Sequence, residues 1–152
     1  MNVLRVVSAV GLGLLAGALS LEGLVLVPHW RSLSLESFAD LHQGFAVRLY
    51  RFFAPLTAVT VSVALASGVG VMFRHQRDRA AWCTVASAIL AASLLVAYRL
   101  YFHSANARLP ILAANKSTSA LSAELRRWHR IHHARTIVSI AAFVLAILGV
   151  AG

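Results

Sequence analysis

The sequence predicts an all-α fold, an integral membrane four-helix bundle with partly helical connections on one membrane face. Of the 152 residues, 59% are hydrophobic and 12% charged, far more apolar than a water-soluble domain of this size can bury. Mean hydropathy is +0.75. The apolar residues gather in four runs, each near the roughly 20 residues that cross a hydrocarbon core of about 30 Å. None alternates every second residue as a barrel strand does. Residues 1–152 therefore read as a single transmembrane domain, with spans at about 3–27, 52–73, 80–102 and 136–152.

The first run, from Val3 to Val27, is rich in small residues such as Gly11, Gly13 and Gly17, which let helices approach closely. Arg5 and the Ala16-Gly17-Ala18 stretch give it some likeness to a signal peptide. The run stays apolar through Leu24 to Val27 and ends at Pro28-His29-Trp30, where a Trp suits the membrane interface, so a retained span fits better. Residues 28–51 form a partly helical connection, with Leu35, Phe38, Ala39 and Leu41 as its apolar positions between Ser34 and Gly44. The second span carries Gly68 and Gly70, and the third a cluster of alanines between Ala86 and Ala92. The 103–120 stretch, with Pro110, Asn115 and Ser117-Thr118-Ser119, reads as a loop. Ser119 is placed to cap an amphipathic segment that begins near Ala120 and runs into the fourth span.

Four spans put both termini and the 74–79 turn on one side, and the 28–51 and 103–135 connections on the other. Arg5, Arg74, Arg77 and Arg79 mark the terminal side as cytoplasmic, in a cell inner membrane, under the positive-inside rule. The opposite side holds Arg31, Arg48, Arg51, Arg99, Arg108, Lys116, Arg126, Arg127, Arg130 and Arg135, which raw counting would favour. Arginines engaged in a site are poor topology signals, and the cytoplasmic terminal side is kept on that ground. The formal charge of +9 comes without a nucleic-acid recognition motif. Basic residues beside apolar spans more often face lipid headgroups, so membrane lipid is the expected partner and nucleic acid is not. The single cysteine, Cys83, allows no intramolecular disulfide and no Cys-rich metal site.

Six of the seven histidines, His29, His42, His103, His129, His132 and His133, fall on the side opposite the termini, and His75 alone falls on the other. His129 and His133 stand four apart on a helix and share a face, the spacing of a metal clip. His42 and His103 are the further candidate ligands, for copper or iron, although a mechanism without a metal stays open. Glu22 lies within the first apolar run, where a carboxylate costs several kcal/mol unless it finds a partner. It reads as a catalytic candidate or as one end of an ion pair with Arg48, Arg99 or Arg135. Asn106, Trp128, Arg130 and Arg99 are the candidate substrate contacts, while His129, His133, Arg135 and Glu22 are the candidate catalytic set. The arginines suit an anionic group or a phenolate as it forms. Tyr50, Tyr98 and Tyr101 read as interfacial anchors.

Three short motifs carry a resemblance: a Pro-terminated first span (Glu22 to Pro28), Asn-x-x-Leu after the third span (Asn106 to Leu109), and Trp-His-x-x-His-x-x-Arg-Thr at the entry to the last (Trp128 to Thr136). In these the chain resembles the anthrone oxygenase-like family of small four-span membrane proteins. The resemblance implies oxidation of anthrones to anthraquinones with molecular oxygen, and site roles for Trp128, His129, Arg135 and Asn106. His132 and His133 make the last motif richer in imidazole than the family pattern, which favours a metal. The reading is a membrane-bound oxidoreductase or oxygenase acting on a lipophilic, phenolic small molecule that enters from the bilayer. In it, His129 or His133 removes a proton and the arginines stabilise the anion. The alternatives are a metal- or haem-binding membrane protein without catalysis and a structural membrane subunit; a homo-oligomer fits any of them.

Overall fold

The computed structural model describes residues 3–74, 77–115 and 118–152, so His75, Lys116 and Ser117 lie outside the described residues. Helix α1 (Val3–Leu21) passes through a π-turn (Glu22–Leu26) into α2 (Val27–Ser32). Helix α3 runs from Leu35 to Phe73. Helix α4 (Arg79–Ala97) passes through a second π-turn (Tyr98–Phe102) into α5 (His103–Ala114), and α6 spans Thr118–Ala151. No strand occurs among the described residues. Four helical stretches, Val3–Ser32, Gly44–Phe73, Arg79–Ala114 and Thr118–Ala151, are long and apolar enough to cross a membrane.

These stretches close into a ring, α1 packing on α3 and α6, and α4 packing on the same two. Short connections between long apolar helices force antiparallel neighbours, which gives the up-down-up-down bundle. The inner face of α1 is a stripe with gaps of three and four, Leu12, Leu15, Leu19 and Glu22, all buried. On α6 the matching stripe is Trp128, His132, Thr136, Ser139, Ala142, Ala146 and Gly149. Outward positions such as Val10, Leu14, Val59, Ile89 and Ile137 are exposed, as expected of side chains that meet lipid tails. Polar links cross the core: Ser87 Oγ donates to the Ala142 carbonyl at 2.7 Å, and Arg5 Nη1 donates to the Gly149 carbonyl at 3.1 Å.

Three stretches differ from the sequence expectation. Within the 28–51 connection, residues 35–51 are continuous with the second span as one 39-residue helix, α3, capped by Ser34, whose side chain accepts from the Ser37 amide. Pro55 sits within that helix without ending it. The first span does not stop at Pro28, because the π-turn just ahead of the proline changes the hydrogen-bond register and α2 continues to Ser32. The 103–120 stretch is mostly helix α5, with Pro110 inside it, and the chain turns only at Asn115. At Pro28 and Pro110 the sequence suggests a stop where packing against the bundle keeps the backbone helical. For α5 the packing partners are α3 and α6.

The long helices place the rest of the molecule. At about 1.5 Å per residue, the 39 residues of α3 reach about 58 Å and the 34 residues of α6 about 51 Å. A hydrocarbon core of about 30 Å covers only part of that length, so the helices continue beyond the bilayer on the side opposite the termini. Near the termini the bundle is tight. A Cβ on Gly149 would meet Thr84 Oγ1 at 2.5 Å and the Ala80 carbonyl at 3.3 Å, whereas nothing lies within 4 Å of one on Gly70. Gly149→Ala is therefore expected to destabilise the bundle by about 1–3 kcal/mol. Gly70→Ala is expected to be neutral or stabilising by up to about 1 kcal/mol. Thermal unfolding of the two variants in detergent checks the contrast.

Candidate functional site

In the half of the bundle away from the termini, the helices line a cavity of about 270 Å³. Its wall is mostly apolar and aromatic, with Phe38, Phe45, Phe53, Leu94 and Phe102 among the contributors. The polar groups that reach it are Glu22, His42, Tyr50, Thr57, Tyr98, Asn106, Trp128 and Arg135. An apolar cavity with a few convergent polar groups is the form of a small-molecule site. Thr57 lies about 24 Å from the end of α3 at Phe73, and Arg135 a similar distance from the end of α6. The cavity thus begins about 24 Å along the bundle from the terminal end and extends towards Phe38 and His42. Phe45 and Tyr50 on α3 and Leu95 on α4 are exposed members of its wall.

Glu22 ends the buried stripe of α1 and opens the first π-turn, so its side chain is carried into the bundle with 7% of its surface exposed. Arg135, immediately before Thr136 on α6, reaches the same cavity, and its guanidinium lies over the Phe102 ring at 4.7 Å from the centroid. Arg135 shares the cavity with both Glu22 and Tyr98. The two charged groups share the cavity without a direct ion pair; the nearest basic atom recorded beside the carboxylate is His132 Nδ1, at 3.8 Å. Both π-turns therefore border the site, one through Glu22 and the other through Tyr98 and Phe102.

Trp128 and His132 lie one turn apart on the inner stripe of α6, and their rings stack with centroids 4.8 Å apart and planes 7° from parallel. Trp128 also meets Trp30 and Phe102 edge-on, at 6.1 and 5.5 Å. Its indole Nε1 donates to Asn106 Oδ1 at 2.9 Å. That bond fixes which end of the amide is which, since an indole can only donate. The Asn106 NH₂ is left as the donor on the other side of the amide. His132 is fully buried, and its Nε2 lies 3.1 Å from the Leu19 carbonyl.

Of the sequence-predicted residues, Glu22, Asn106, Trp128, Arg135 and His42 line the cavity, whereas His129, His133, His103, Arg99 and Arg130 do not. Arg99, His103, Arg130 and His133 are exposed. His129 and His133 stack on each other with centroids 6.4 Å apart, His103 packs edge-on to Tyr98, and His42 lies against Phe38. Among the described residues, no three His, Cys, Asp or Glu side chains come together as metal ligands would. The i, i+4 histidine pair exists as a pair, but it sits on the helix face beside the inner stripe. His42, just ahead of the second candidate span, is half-buried, and that burial pushes its imidazole below the ordinary histidine value. It presents a neutral ring to the cavity at physiological pH. Tyr101, expected as an anchor, is buried and donates to Glu124 at 3.3 Å, beside the Arg108–Glu124 salt bridge of 2.8 Å. Tyr98 turns to the cavity wall.

A family model described as anthrone oxygenase matches residues 44–145, from α3 through to α6. The chain belongs to the anthrone oxygenase family. No curated protein and no solved structure matches it. The matched segment contains Asn106, Trp128 and Arg135, whereas Glu22 and Trp30 come from the helices ahead of it. The family's segment and the chain's first span therefore build the cavity together.

The Trp128–Asn106 bond generates a direct check on this wall. Trp128→Phe and Asn106→Ala each remove one partner of a half-buried hydrogen bond. A double-mutant cycle read by thermal unfolding is expected to give a coupling of about 1 kcal/mol. Additive losses would mean that the bond does not hold the amide.

Proposed function

We propose that the chain is a membrane-bound oxygenase that converts the methylene carbon of a lipophilic, phenol-bearing polycyclic ketone of the anthrone class into a carbonyl, using molecular oxygen. The observation that carries this reading is the pairing of one buried carboxylate, Glu22, with one half-buried guanidinium, Arg135, across a mostly apolar and aromatic cavity. Membership of the anthrone oxygenase family supports the reaction class. The exposed wall residues Phe45, Tyr50 and Leu95 support entry from the bilayer, where such a substrate dissolves.

In this mechanism the flat rings of the substrate lie against Phe53, Phe102 and Trp128. The Glu22 carboxylate removes a proton from the methylene carbon, and the negative charge passes through the ring system to the carbonyl oxygen. Arg135 and the Asn106 NH₂ stabilise that enolate oxygen; a fixed donor in a water-poor cavity is worth far more to a developing charge than it would be in water. The electron-rich carbon then adds dioxygen, and the resulting hydroperoxide loses water to give the new carbonyl. The overall change is CH₂ + O₂ → C=O + H₂O, which balances without a further reductant. Within this reading His129 and His133 lie outside the cavity and remove no proton.

Oxygen uptake by the purified protein in nanodiscs, with anthrone as substrate and autoxidation subtracted, tests the proposal. Glu22→Gln and Arg135→Ala are each expected to lower kcat by about 10²-fold or more, as loss of a positioned base or charge stabiliser does. A His129→Ala, His133→Ala double variant is expected to keep its rate within about threefold, the small change of residues that make no transition-state contact. Uptake that survives Glu22→Gln, or that disappears with the histidine pair, would overturn the assignment.

We also place both termini and the 74–79 turn on the cytoplasmic side of a cell inner membrane, which puts the cavity in the opposite leaflet. The short turn with Arg74, Arg77 and Arg79 supports this orientation. In a Cys83→Ala background, Ser119→Cys is expected to react with an impermeant maleimide in intact cells and Arg77→Cys only after lysis. The reverse pattern would invert the protein.

A further inference from the structure

We propose that His132 is the positioning partner of Glu22, and that the two residues hold one proton between them behind the cavity. The inference deepens the reading of Glu22 as the cavity base and rests on it for its catalytic meaning, but its structural content stands separately. His132 does not line the cavity, whereas Glu22 does, so the carboxyl group stands between the cavity and the imidazole. The ring is fully buried and cannot exchange its proton with solvent directly.

The proton count follows from the ring's two nitrogens. A carbonyl oxygen only accepts, so the 3.1 Å contact with Leu19 requires the proton of His132 to be on Nε2. Nδ1 then has no hydrogen-bond partner, and the one polar atom recorded beside it is Glu22 Oε2 at 3.8 Å. That separation is about 1 Å longer than a hydrogen bond, a gap that rotation of the carboxyl group can close. If Nδ1 is bare, it accepts from a protonated Glu22. If Nδ1 is protonated, it donates to the carboxylate. Either state contains one proton on the line from Oε2 to Nδ1, and no third arrangement satisfies both groups.

The surroundings hold the ring in place for this role. Trp128 covers one flat face, Phe102 meets the ring edge-on at 6.4 Å, and Gly23 approaches so closely that a Cβ there would lie 3.2 Å from Cδ2 and Nε2. The charged and titratable groups that act on the ring are Glu22 from the first span and Arg135, His129 and His133 from α6. The pair acts as base from its carboxylate–imidazolium form: Glu22 takes the substrate proton on Oε1, while the proton on Nδ1 holds Oε2 in place. That proton returns from Oε1 to the peroxide, whose outer oxygen leaves as water. No bond other than those to the proton is made or broken, and His132 touches no substrate atom.

Nitrogen NMR of the detergent-solubilised full chain, labelled in histidine and without substrate, reads the pair directly. One histidine is expected to show a protonated Nε2. Its Nδ1 resonance is expected to move towards the position of an unbonded ring nitrogen in Glu22→Leu, which removes the partner. His132→Gln assigns that signal by its loss. Should this variant fail to fold, Gly23→Ala assigns it instead, because the added methyl presses on this ring. A proton on Nδ1 with a bare Nε2, or an Nδ1 resonance unmoved by Glu22→Leu, would overturn the proposal. In the oxygen-uptake assay, His132→Gln is expected to lower kcat by about 10²-fold, with KM changed less than about twofold and the acid limb of the pH profile displaced. A kcat loss with an unshifted profile would make His132 merely structural. The NMR signature with no uptake by the wild-type protein would leave the pair standing and remove the oxygenase reading, so the two can fail separately.

Discussion

A carboxylate in the apolar first span is the constraint on which the arrangement turns. A bilayer core offers Glu22 no water, and an unmatched polar group there costs several kcal/mol. The other helices must therefore bring partners to it. Arg135 comes from α6 across the cavity, and His132 comes from the same helix behind it. The rest of that end of the molecule is arranged around these two approaches. Trp128 stacks on His132, Phe102 receives the Arg135 guanidinium on its face, and Asn106 is held by the Trp128 indole. A chain with Leu at position 22 would have no need of any of these contacts, and its apolar core would pack more simply.

Helix length decides where this chemistry sits. Near the termini the helices meet through alanines, glycines and serines, and the bundle is closely packed, as the contact of Gly149 with Thr84 and of Gly68 with Ala88 requires. On the opposite side the side chains grow larger, with Val27, Phe38, Tyr101, Phe102, Leu109 and Trp128 forming one apolar cluster. Large side chains and the extra length of α3 hold the helices apart there. The cavity opens at the transition between the two regimes.

The four-helix bundle was legible because apolar run length is a direct physical requirement of the bilayer. Glu22 was legible for the complementary reason, as the residue that breaks the requirement. Trp128, Asn106 and Arg135 were found through their motifs, and the structure brings all of them to the cavity wall. The histidines were harder. The spacing of His129 and His133 marks a shared face but does not say which face, and that face lies beside the inner stripe. The signal that identifies His132 was present all the same. The small residues Gly149, Ala146, Ala142, Ser139 and Thr136 trace the packed side of the last span, and one more step of four reaches His132, the next Trp128. The prolines misled for a physical reason: their local cost is real, but a helix packed on neighbours can bear it. Local sequence does not report those neighbours.

The two π-turns explain how one helix can serve both the packed half and the cavity. Along α1 the buried positions follow gaps of three and four up to Glu22, and the next buried residue, Val27, comes five later. Without the added residue, Leu26 would take the inner position that Val27 holds, and the stripe would drift off the bundle. The same widening lies at Tyr98–Phe102, where Tyr98 reaches the cavity and both Tyr101 and Phe102 are buried. A π-turn costs regular hydrogen bonding, which is why such turns are rare outside functional sites. Two of them bordering one cavity, each presenting a polar side chain to it, are difficult to explain by packing alone. Gly23 completes the case. It follows Glu22 inside the first π-turn, and the missing side chain is what lets the His132 ring come within reach of the carboxylate. The backbone of the first span is therefore shaped at successive residues for a charge, for the ring that faces it and for the proline that follows.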